Sequence, residues 1–349
     1  HPYCDSLRVP SYSTSKTALA SVGAMRLEKV YGNFFDQYIS DLVPEVAADP
    51  QGDFFGVTVN NALDMATGNY SSSSYINDEL ANDPDFFLSE THAEKINFAV
   101  NEYPRQSIPG TEMHYHTSDT FLVMAAEQKF YEQQVGSCGD VFDDVIVEDV
   151  WKPLGLDLGS LSTNRTYDAV NQPFGGFGSS FVRDDIAKLG KFLGVDHGRI
   201  NNVQVLEPEQ LASSKFGDAL DYGPDPWLLS PVVGRYNNSF WGLNYGSIAG
   251  CSGLFVPYMS GFSGISIVMA PSGIVYYYFS DDTDNVLWNL AFAEAEKIRS
   301  SCISSLPDSP SNLEIINESS NQLSLRWTPS NTPINVMRFR IYRDGELLG

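Results

Sequence analysis

The chain has 349 residues, of which 42% are hydrophobic and 13% aromatic, so it forms one or two folded domains and is not a disordered chain. Acidic residues number 44 and basic residues 21, which gives a formal net charge of −23 at pH 7. A surface this negative repels phosphate backbones and anionic lipids, and no apolar run is long enough to cross a bilayer, which excludes nucleic acid binding and membrane insertion as expected functions.

The first predicted element is a helix over residues 14–31 that ends at Gly32. Its first turns, "TSKTALASVGAM", leave almost no polar face, which is typical of a helix buried on all sides. Ser13 lies at the helix start and Lys16 follows one turn later, so both side chains share one face. The positive end of the helix dipole also lies where an oxyanion on the serine would form.

The Ser-x-x-Lys spacing fits nucleophilic catalysis. A serine hydroxyl becomes a nucleophile when a base takes its proton, and a lysine is such a base when burial or neighbouring positive charge keeps it neutral. Among all lysines of the chain, this spacing occurs at Lys16 alone. The residues by themselves leave an alternative open, in which Ser13 or Ser15 only caps the helix and Lys16 is solvated.

The following segments alternate helical and strand patterns, which predicts an α/β protein of the α+β type. A strand-rich stretch covers residues 251–280, with a turn at "PSG". Asp281, Asp282 or Asp284 is available to cap a last helix. Helices are predicted in "TVNNALDMATG" (ended by Gly68), "TSDTFLVMAAEQKFYEQQ", "DDIAKLGKFLG" and "NVLWNLAFAEAEKIRS".

The character of the chain changes after residue 303. Residues 304–312, "SSLPDSPSN", predict a linker, and residues 313–349 carry alternating strand patterns with an Asp344-Gly345 hairpin signal. "QLSLRW" and "FRIYRDGELL" resemble the opening strands of a fibronectin type III module. Since such a β-sandwich needs roughly seven strands and about 100 residues, the resemblance implies a partial module, with contact to a cell surface or polymer as its expected role.

Residues 1–303 resemble the serine β-lactamase and penicillin-binding-protein superfamily, especially its class C-like branch of esterases, peptidases and amide hydrolases. The resemblance implies an antiparallel sheet flanked by helices and an all-helical subdomain. It also implies strands ahead of the nucleophile, whereas 12 residues precede Ser13, so we expect the first strands to be absent from this chain or supplied by another. The resemblance rests on six blocks in order: "SYSTSKTALASVGAMRLEKVYG", "VTVNNALDMATGNY", "IPGTEMHYHTSDTFLVMAAE", "VWKPLGL", "FGGFGSSFVRDDIAKLGKFL" and "MSGFSGISIVMAPSGIVYYYFSD".

By position, the resemblance implies that Ser13 is the acylated nucleophile and Lys16 its base or proton relay. Tyr115 takes the place of the tyrosine that exchanges protons with the lysine and protonates the leaving group, a role for which a phenol needs positive neighbours. The backbone N–H groups of Ser13 and Phe262 would form the oxyanion hole. On the residues alone, Tyr115 could equally be a packing aromatic.

Two substrate-binding positions depart from the superfamily pattern. Thr117 replaces an asparagine, which keeps a hydroxyl but loses the amide. Met259, Ser260 and Gly261 stand where a lysine or histidine, a threonine or serine, and a glycine are usual. A thioether cannot bind a substrate carboxylate, so Met259 favours a neutral acyl group over β-lactams or peptide carboxylates.

The resulting expectation is a serine hydrolase that cleaves an ester or amide, with carboxylic esters favoured, and that uses no metal or cofactor. Its partner is a small-molecule or peptide-like substrate. The competing hypothesis is a binding or surface-attachment protein with a catalytically decayed hydrolase fold. The preference against cephalosporins and peptides, which are substrates of the superfamily, rests on one residue, Met259.

The cysteines and acidic clusters are less informative. Cys4, Cys138, Cys251 and Cys302 permit two disulfides in three pairings, or stay as thiols. With the acidic charge they favour a secreted, periplasmic or extracellular protein. His114 and His116 flank Tyr115 and are expected at the surface, not at a metal. "SDDTDN" predicts a helix cap in preference to a calcium site.

Overall fold

The computed structural model describes residues 6–216, 234–245, 254–262, 265–278, 288–301, 311–319, 322–328, 342–343 and 346–347. The chain divides into two units, His1–Ser301 and Cys302–Gly349. Each unit is described by itself below. Within the described part of the chain, no helix combines the length and the apolar character that crossing a bilayer requires.

The larger unit contains many short and medium-length helices. A π-helical segment, Lys16–Ser21, leads into α1, and a second, Val141–Trp151, leads into α8. A 3₁₀ turn covers Leu158–Ser160. The α-helices are α1 Val22–Tyr31, α2 Ile39–Leu42, α3 Pro44–Ala47, α4 Val59–Leu63, α5 Asn77–Leu88, α6 His92–Asn101, α7 Thr117–Val135, α8 Lys152–Leu154, α9 Arg183–Gly194, α10 Pro208–Ser214 and α11 Trp288–Ile298.

A five-stranded antiparallel sheet lies beside these helices, with its strands in sequence order from β5 to β9. The described residues of this unit also form two small antiparallel pairs, β1 with β2 and β3 with β4. The strands are β1 Arg8–Pro10, β2 Ser180–Val182, β3 Arg199–Ile200, β4 Val203–Gln204, β5 Gly234–Asn237, β6 Phe240–Asn244, β7 Phe255–Gly261, β8 Ile265–Met269 and β9 Val275–Tyr278. The predicted α+β architecture, an antiparallel sheet flanked by helices, is therefore confirmed.

Both faces of the sheet are covered, since side chains that alternate along its strands are buried in two different clusters. On β7, Met259 packs into the larger hydrophobic core, while Tyr258 belongs to a second cluster of buried residues. Helix α9 packs closely on β8 and β9, because a Cβ at Gly190 would lie 2.6 Å from a side-chain carbon of Val275. The sheet thus divides the apolar interior into two clusters.

The helix predicted over residues 14–31 is confirmed, with the modification that its first turns are π-helical. All residues from Lys16 to Ser21 are buried, as the absence of a polar face predicted. Gly32 ends the helix with a φ of 73°, a conformation that glycine adopts readily. Helix α7, predicted over 117–134, extends to Val135 and packs against α1, α2, α4, α5 and α6.

Helix α4 differs from its prediction, since it ends at Leu63 and not at Gly68. Met65 adopts a left-handed φ of 54°, which no α-helix accommodates, so the chain leaves the helix before the glycine. The turn predicted at residues 271–273 connects β8 to β9. The predicted last helix begins at Trp288, and its proposed aspartate caps lie outside the described residues.

The smaller unit contains two antiparallel strand pairs among its described residues. β10 Ser311–Ser319 pairs with β11 Gln322–Thr328. β12 Tyr342–Arg343 pairs with β13 Glu346–Leu347 on either side of the predicted Asp344-Gly345 turn. The fibronectin type III-like module and its surface contact stay predictions.

Candidate active site

A tight turn between β1 and the first helix presents Ser13. The backbone N–H of Ser11 donates to the carbonyl oxygen of Ser179 at 2.9 Å, which anchors the turn beside β2. Tyr12 follows with a φ of 43°, a left-handed conformation that costs a bulky residue free energy. Such strained residues cluster where a side chain must be held in an uncommon position. Ser13 is therefore held at the tip of the turn, partly exposed.

Lys16 lies directly beneath this serine, with only 1% of its surface exposed. Its Nζ lies 3.0 Å from Ser13 Oγ and 2.8 Å from Thr117 Oγ1. The carbonyl oxygen of Gly176 lies 3.4 Å from the same nitrogen. Because the lysine is buried and touches the serine hydroxyl, the solvated-lysine alternative is wrong for this structure, and the pair has the contact that proton transfer needs.

Gly176 lets its loop approach α7. A Cβ at this position would lie 2.7 Å from Thr117 Cγ2 and 2.5 Å from Thr120 Oγ1, closer than any side chain tolerates. The backbone carbonyl can therefore reach Lys16 only because the residue is a glycine. Sequence reasoning matched this block to the superfamily but did not assign the glycine to the site.

Glu79 is a site residue that sequence reasoning missed. It lies on α5, a helix that the sequence analysis did not predict. One carboxylate oxygen accepts from the Thr117 hydroxyl at 2.5 Å, and the other accepts from the Thr117 backbone N–H at 2.7 Å. No spacing in the sequence indicates this pairing, because it depends on how α5 packs against the start of α7.

Tyr115 lies on the other side of Lys16, with 6% of its surface exposed. The lysine nitrogen is 4.8 Å from the centre of the tyrosine ring. The ring stacks on Trp241 with centroids 5.6 Å apart and meets Tyr236 edge to face at 6.0 Å. The structure thus brings Tyr115 to Ser13 and Lys16, while its role in proton transfer stays a prediction.

The end of β7 closes the other side of the nucleophile turn. A Cβ at Gly261 would lie 3.0 Å from the carbonyl oxygen of Ser11, so the strand passes close to the turn. The ring of Phe262 meets that of Tyr12 edge to face, with centroids 5.8 Å apart. Ser260, Gly261 and Phe262 border the cleft. That Ser13 and Phe262 donate backbone N–H groups to an oxyanion stays a prediction.

Met259 requires a correction. The sequence placed its thioether opposite the serine, but the side chain is fully buried in the core on the opposite face of β7 from Tyr258. The residues that line the cleft include Ser260 and not Met259. By the two-residue period Met259 shares a face of β7 with Gly261, which does line the cleft, so the burial of Met259 in the core, and not its face, removes it from the cleft.

The cleft in front of Ser13 has a volume of about 540 Å³ and is mainly apolar. Glu79 is the charged residue among those that line it, and the described lining contains no lysine, arginine or histidine. Aromatic and aliphatic side chains supply most of the wall. The lining consists of Tyr12, Ser13, Ile76, Glu79, Leu80, Pro84, Phe87, Tyr115, Phe177, Trp241, Ser260, Gly261 and Phe262.

The two histidines beside Tyr115 are buried, contrary to the expectation of a surface position. His114 stacks on Tyr70 at 3.7 Å, and His116 stacks on Tyr103 at 4.0 Å. Among the residues that the structure describes, no three His, Cys, Asp or Glu side chains are grouped to hold a metal ion. "SDDTDN" lies outside the described residues.

His116 instead belongs to a buried charge cluster under the site. Its Nε2 lies 3.3 Å from a carboxylate oxygen of Asp78. Burial lowers the pKa of this imidazole, but the carboxylates of Asp119 and Asp78 outweigh that effect and raise the pKa to about 9. The ring is therefore a cation at neutral pH and holds α7 to the start of α5.

The structure tests the predicted state of the cysteines only at Cys138. Cys138 is exposed with a free thiol. Cys4, Cys251 and Cys302 lie outside the described residues. With Cys138 free, the four cysteines do not form two disulfides, and one disulfide among the other three stays a prediction.

No protein-family model matches the chain, and no curated protein does. Solved structures do match. A Bacillus anthracis protein provisionally named a 6-aminohexanoate-dimer hydrolase superimposes with a TM-score of 0.59 at 15% identity, covering 85% of this chain and 75% of its own. The hydrolase EstCE1, described as having promiscuous acyltransferase activity, gives 0.56 at 16% identity, with coverages of 81% and 83%.

A penicillin-binding protein homologue from Caulobacter crescentus gives a TM-score of 0.53 at 15% identity, covering 78% of this chain and 77% of its own. At such identities the likeness concerns the fold. The larger unit thus has the fold of the serine β-lactamases and penicillin-binding proteins, as the six sequence blocks predicted.

Proposed function

We propose that this protein is a serine hydrolase that cleaves an ester or amide through an acyl-enzyme on Ser13. One observation carries the proposal: Lys16 Nζ lies 3.0 Å from Ser13 Oγ while the lysine is 1% exposed. Burial disfavours the charged ammonium, which promotes the neutral amine that a general base requires. The fold, shared with proteins described as hydrolases, supports the same chemistry.

In the first half-reaction, Ser13 Oγ attacks the substrate carbonyl carbon while its proton passes to Lys16. The oxygen that gains negative charge is held by the backbone N–H groups of Ser13 and Phe262. Collapse of the intermediate breaks the bond to the alcohol or amine, which leaves with a proton from Lys16 or Tyr115. Water then attacks the acyl-serine, gives its proton to the same base and releases the acid and Ser13.

The cleft favours an uncharged, apolar substrate. The aromatic walls of Tyr115, Phe177 and Trp241 supply area for an acyl chain or an aryl leaving group. A substrate carboxylate would meet Glu79 and no cation among the described lining residues. We therefore expect short aryl or alkyl esters to react faster than cephalosporins or peptides that end in a carboxylate.

A fluorophosphonate probe tests the nucleophile directly. We expect stoichiometric labelling of the full chain, its loss in Ser13→Ala, and unchanged labelling in Ser89→Ala, a serine at the end of α5 away from the cleft. Peptide mass mapping should place the adduct on Ser13. Equal labelling of the wild type and Ser13→Ala would overturn the proposal.

The competing hypothesis of a decayed binding protein is motivated by the departures at Met259 and Thr117 and by the C-terminal module. Met259 does not line the cleft, and Thr117 contacts Lys16 through the hydroxyl that it retains, so neither departure removes a group of the proposed acid–base pair. Intact mass spectrometry after mixing with aryl acetates separates the two hypotheses, because burst acylation of Ser13 occurs only in an enzyme.

A further inference from the structure

Glu79 contacts the proposed acid–base pair through one intermediary. Its carboxylate accepts from the Thr117 hydroxyl at 2.5 Å, and that hydroxyl oxygen lies 2.8 Å from Lys16 Nζ. Lys16 in turn contacts Ser13. A continuous chain of hydrogen bonds therefore runs from the carboxylate on α5 to the nucleophile, with Thr117 at its centre.

The chemistry of the groups fixes the direction of these bonds. A carboxylate only accepts, so the single proton of the Thr117 hydroxyl points to Glu79. The hydroxyl can then only accept from Lys16, which donates one of its N–H groups. A neutral lysine has one lone pair, and without Glu79 the Thr117 proton could occupy it in place of the proton of Ser13.

We propose that Glu79 is a positioning residue that holds the Thr117 hydroxyl as an acceptor toward Lys16 and so leaves the lysine lone pair to Ser13. This inference rests on the proposed function. Glu79 does not touch the serine; it acts through Thr117. The second carboxylate oxygen binds the Thr117 backbone N–H at 2.7 Å, which keeps the threonine from turning away.

A purely structural role makes a different prediction. Glu79 also satisfies a backbone N–H at the first turn of α7, and the loss of such a cap destabilises a helix. Thr117→Val removes the hydroxyl but retains that backbone N–H. If Glu79 only caps the helix, Glu79→Gln has the same effect on a threonine or a valine background.

The experiment is a double-mutant cycle with an aryl ester substrate, using Glu79→Gln, Thr117→Val and their combination. We expect Glu79→Gln to lower kcat by about 10- to 100-fold, part of the contribution of a positioned base, with little change in KM. On the Thr117→Val background the same change should have no further effect on kcat. Thr117→Ser, which retains the hydroxyl, should retain most of the wild-type kcat.

The pH profile adds an independent readout. Removal of a carboxylate near Lys16 disfavours its ammonium form, so the acid limb of kcat/KM should move to lower pH in Glu79→Gln. Asp85→Asn, an exposed acid on the same helix, controls for the loss of one charge and should leave kcat and the profile unchanged.

The outcomes separate the two proposals. If the wild type is not acylated on Ser13, the proposed function fails. If the wild type is acylated but Glu79→Gln keeps the wild-type kcat and pH profile, or costs the same on both backgrounds, the role of Glu79 is overturned.

Discussion

The nitrogen of Lys16 lies 4.8 Å from the centre of the Tyr115 ring, over its face. The ring also stacks on Trp241 at 5.6 Å. Tyr115 therefore has two parts that can be tested separately: a ring that packs against the lysine and the tryptophan, and a hydroxyl for which proton transfer is proposed.

Tyr115→Phe separates these contributions. The ring contacts persist, so we expect the thermal midpoint to stay close to that of the wild type. If the phenol transfers a proton to the leaving group, kcat falls by about 10²- to 10⁴-fold with a smaller change in KM. Steady-state kinetics with an aryl ester and an alkyl ester measure this. The loss should be greater for the alkyl ester, because its leaving group is the stronger base.

Tyr70→Phe is the matched control. The Tyr70 hydroxyl bonds to the exposed carboxylate of Glu112, away from the cleft. We expect its removal to leave kcat unchanged. A Tyr115→Phe variant with wild-type kcat toward both esters would show that the ring alone matters.

The buried position of Met259 gives a second prediction. Met259→Leu conserves volume and polarity, so the kinetics should be unchanged and the stability should fall by less than about 1.5 kcal/mol. Met259→Lys would bury an unpaired cation in the core and lower the thermal midpoint by many degrees. We expect no gain in cephalosporin hydrolysis from that lysine, measured by absorbance, because the side chain does not line the cleft. If Met259→Lys folds and cleaves cephalosporins, residue 259 does contribute to the active site, and this prediction is wrong.

The sequence predicted the local parts of this site. Ser13 and Lys16 are one helical turn apart, and the apolar stretch after them indicates burial. The α+β architecture followed from the order of helices and strands and from the resemblance of six blocks. These features depend on residues close together in the chain or on their order.

Features created by long-range packing could not be predicted. Glu79 reaches Thr117 only because α5 packs against α7. Met259 lies in an apolar strand, "FVPYM", in which no polar residue indicates where the cleft ends and the core begins. His116 is buried because Tyr103, from the chain segment after α6, covers its ring.

The buried His116 predicts a loss of stability at alkaline pH. Its folded pKa of about 9 exceeds the ordinary value of 6.5. The stabilisation is therefore complete below pH 6.5 and is lost as pH rises through 9, by about 1.4 kcal/mol per pH unit between these values. Urea unfolding at pH 6.5 to 9.5 should show this fall in the wild type and a weaker one in His116→Gln, which carries no charge at any pH.

His92 serves as the control, because its contribution to stability changes with pH in the opposite direction. Burial lowers its pKa, so its contribution is present above pH 6.5 and is lost as pH falls. His92→Gln should therefore keep the alkaline slope of the wild type. An alkaline slope that is the same in His116→Gln as in the wild type would contradict the charged state of His116.

The buried carboxyl group of Glu127 leads us to predict that replacing this one residue stabilises the protein. The side chain is fully buried on α7, and its carboxyl group lies so close to Gly23 that a Cβ there would be 2.3 Å from Oε2. Burial raises the pKa of this carboxyl well above its usual value of 4.5. The folded protein therefore favours the protonated acid, and stability that is complete below pH 4.5 is lost as pH rises toward the folded pKa.

Glu127→Gln retains the shape but cannot ionise, so the variant avoids this loss. We expect it to be more stable than the wild type at pH 8, by on the order of 1–3 kcal/mol, with the difference vanishing near pH 4.5, because there the unfolded wild type is also protonated. Urea unfolding at both pH values measures the difference. Glu102→Gln, at an exposed glutamate, should change the stability by less than about 0.5 kcal/mol at either pH. A Glu127→Gln variant that is less stable than the wild type at pH 8 would show that the carboxylate is ionised and paired in the fold, and that the interface between α1 and α7 is held by a charge and not by apolar packing.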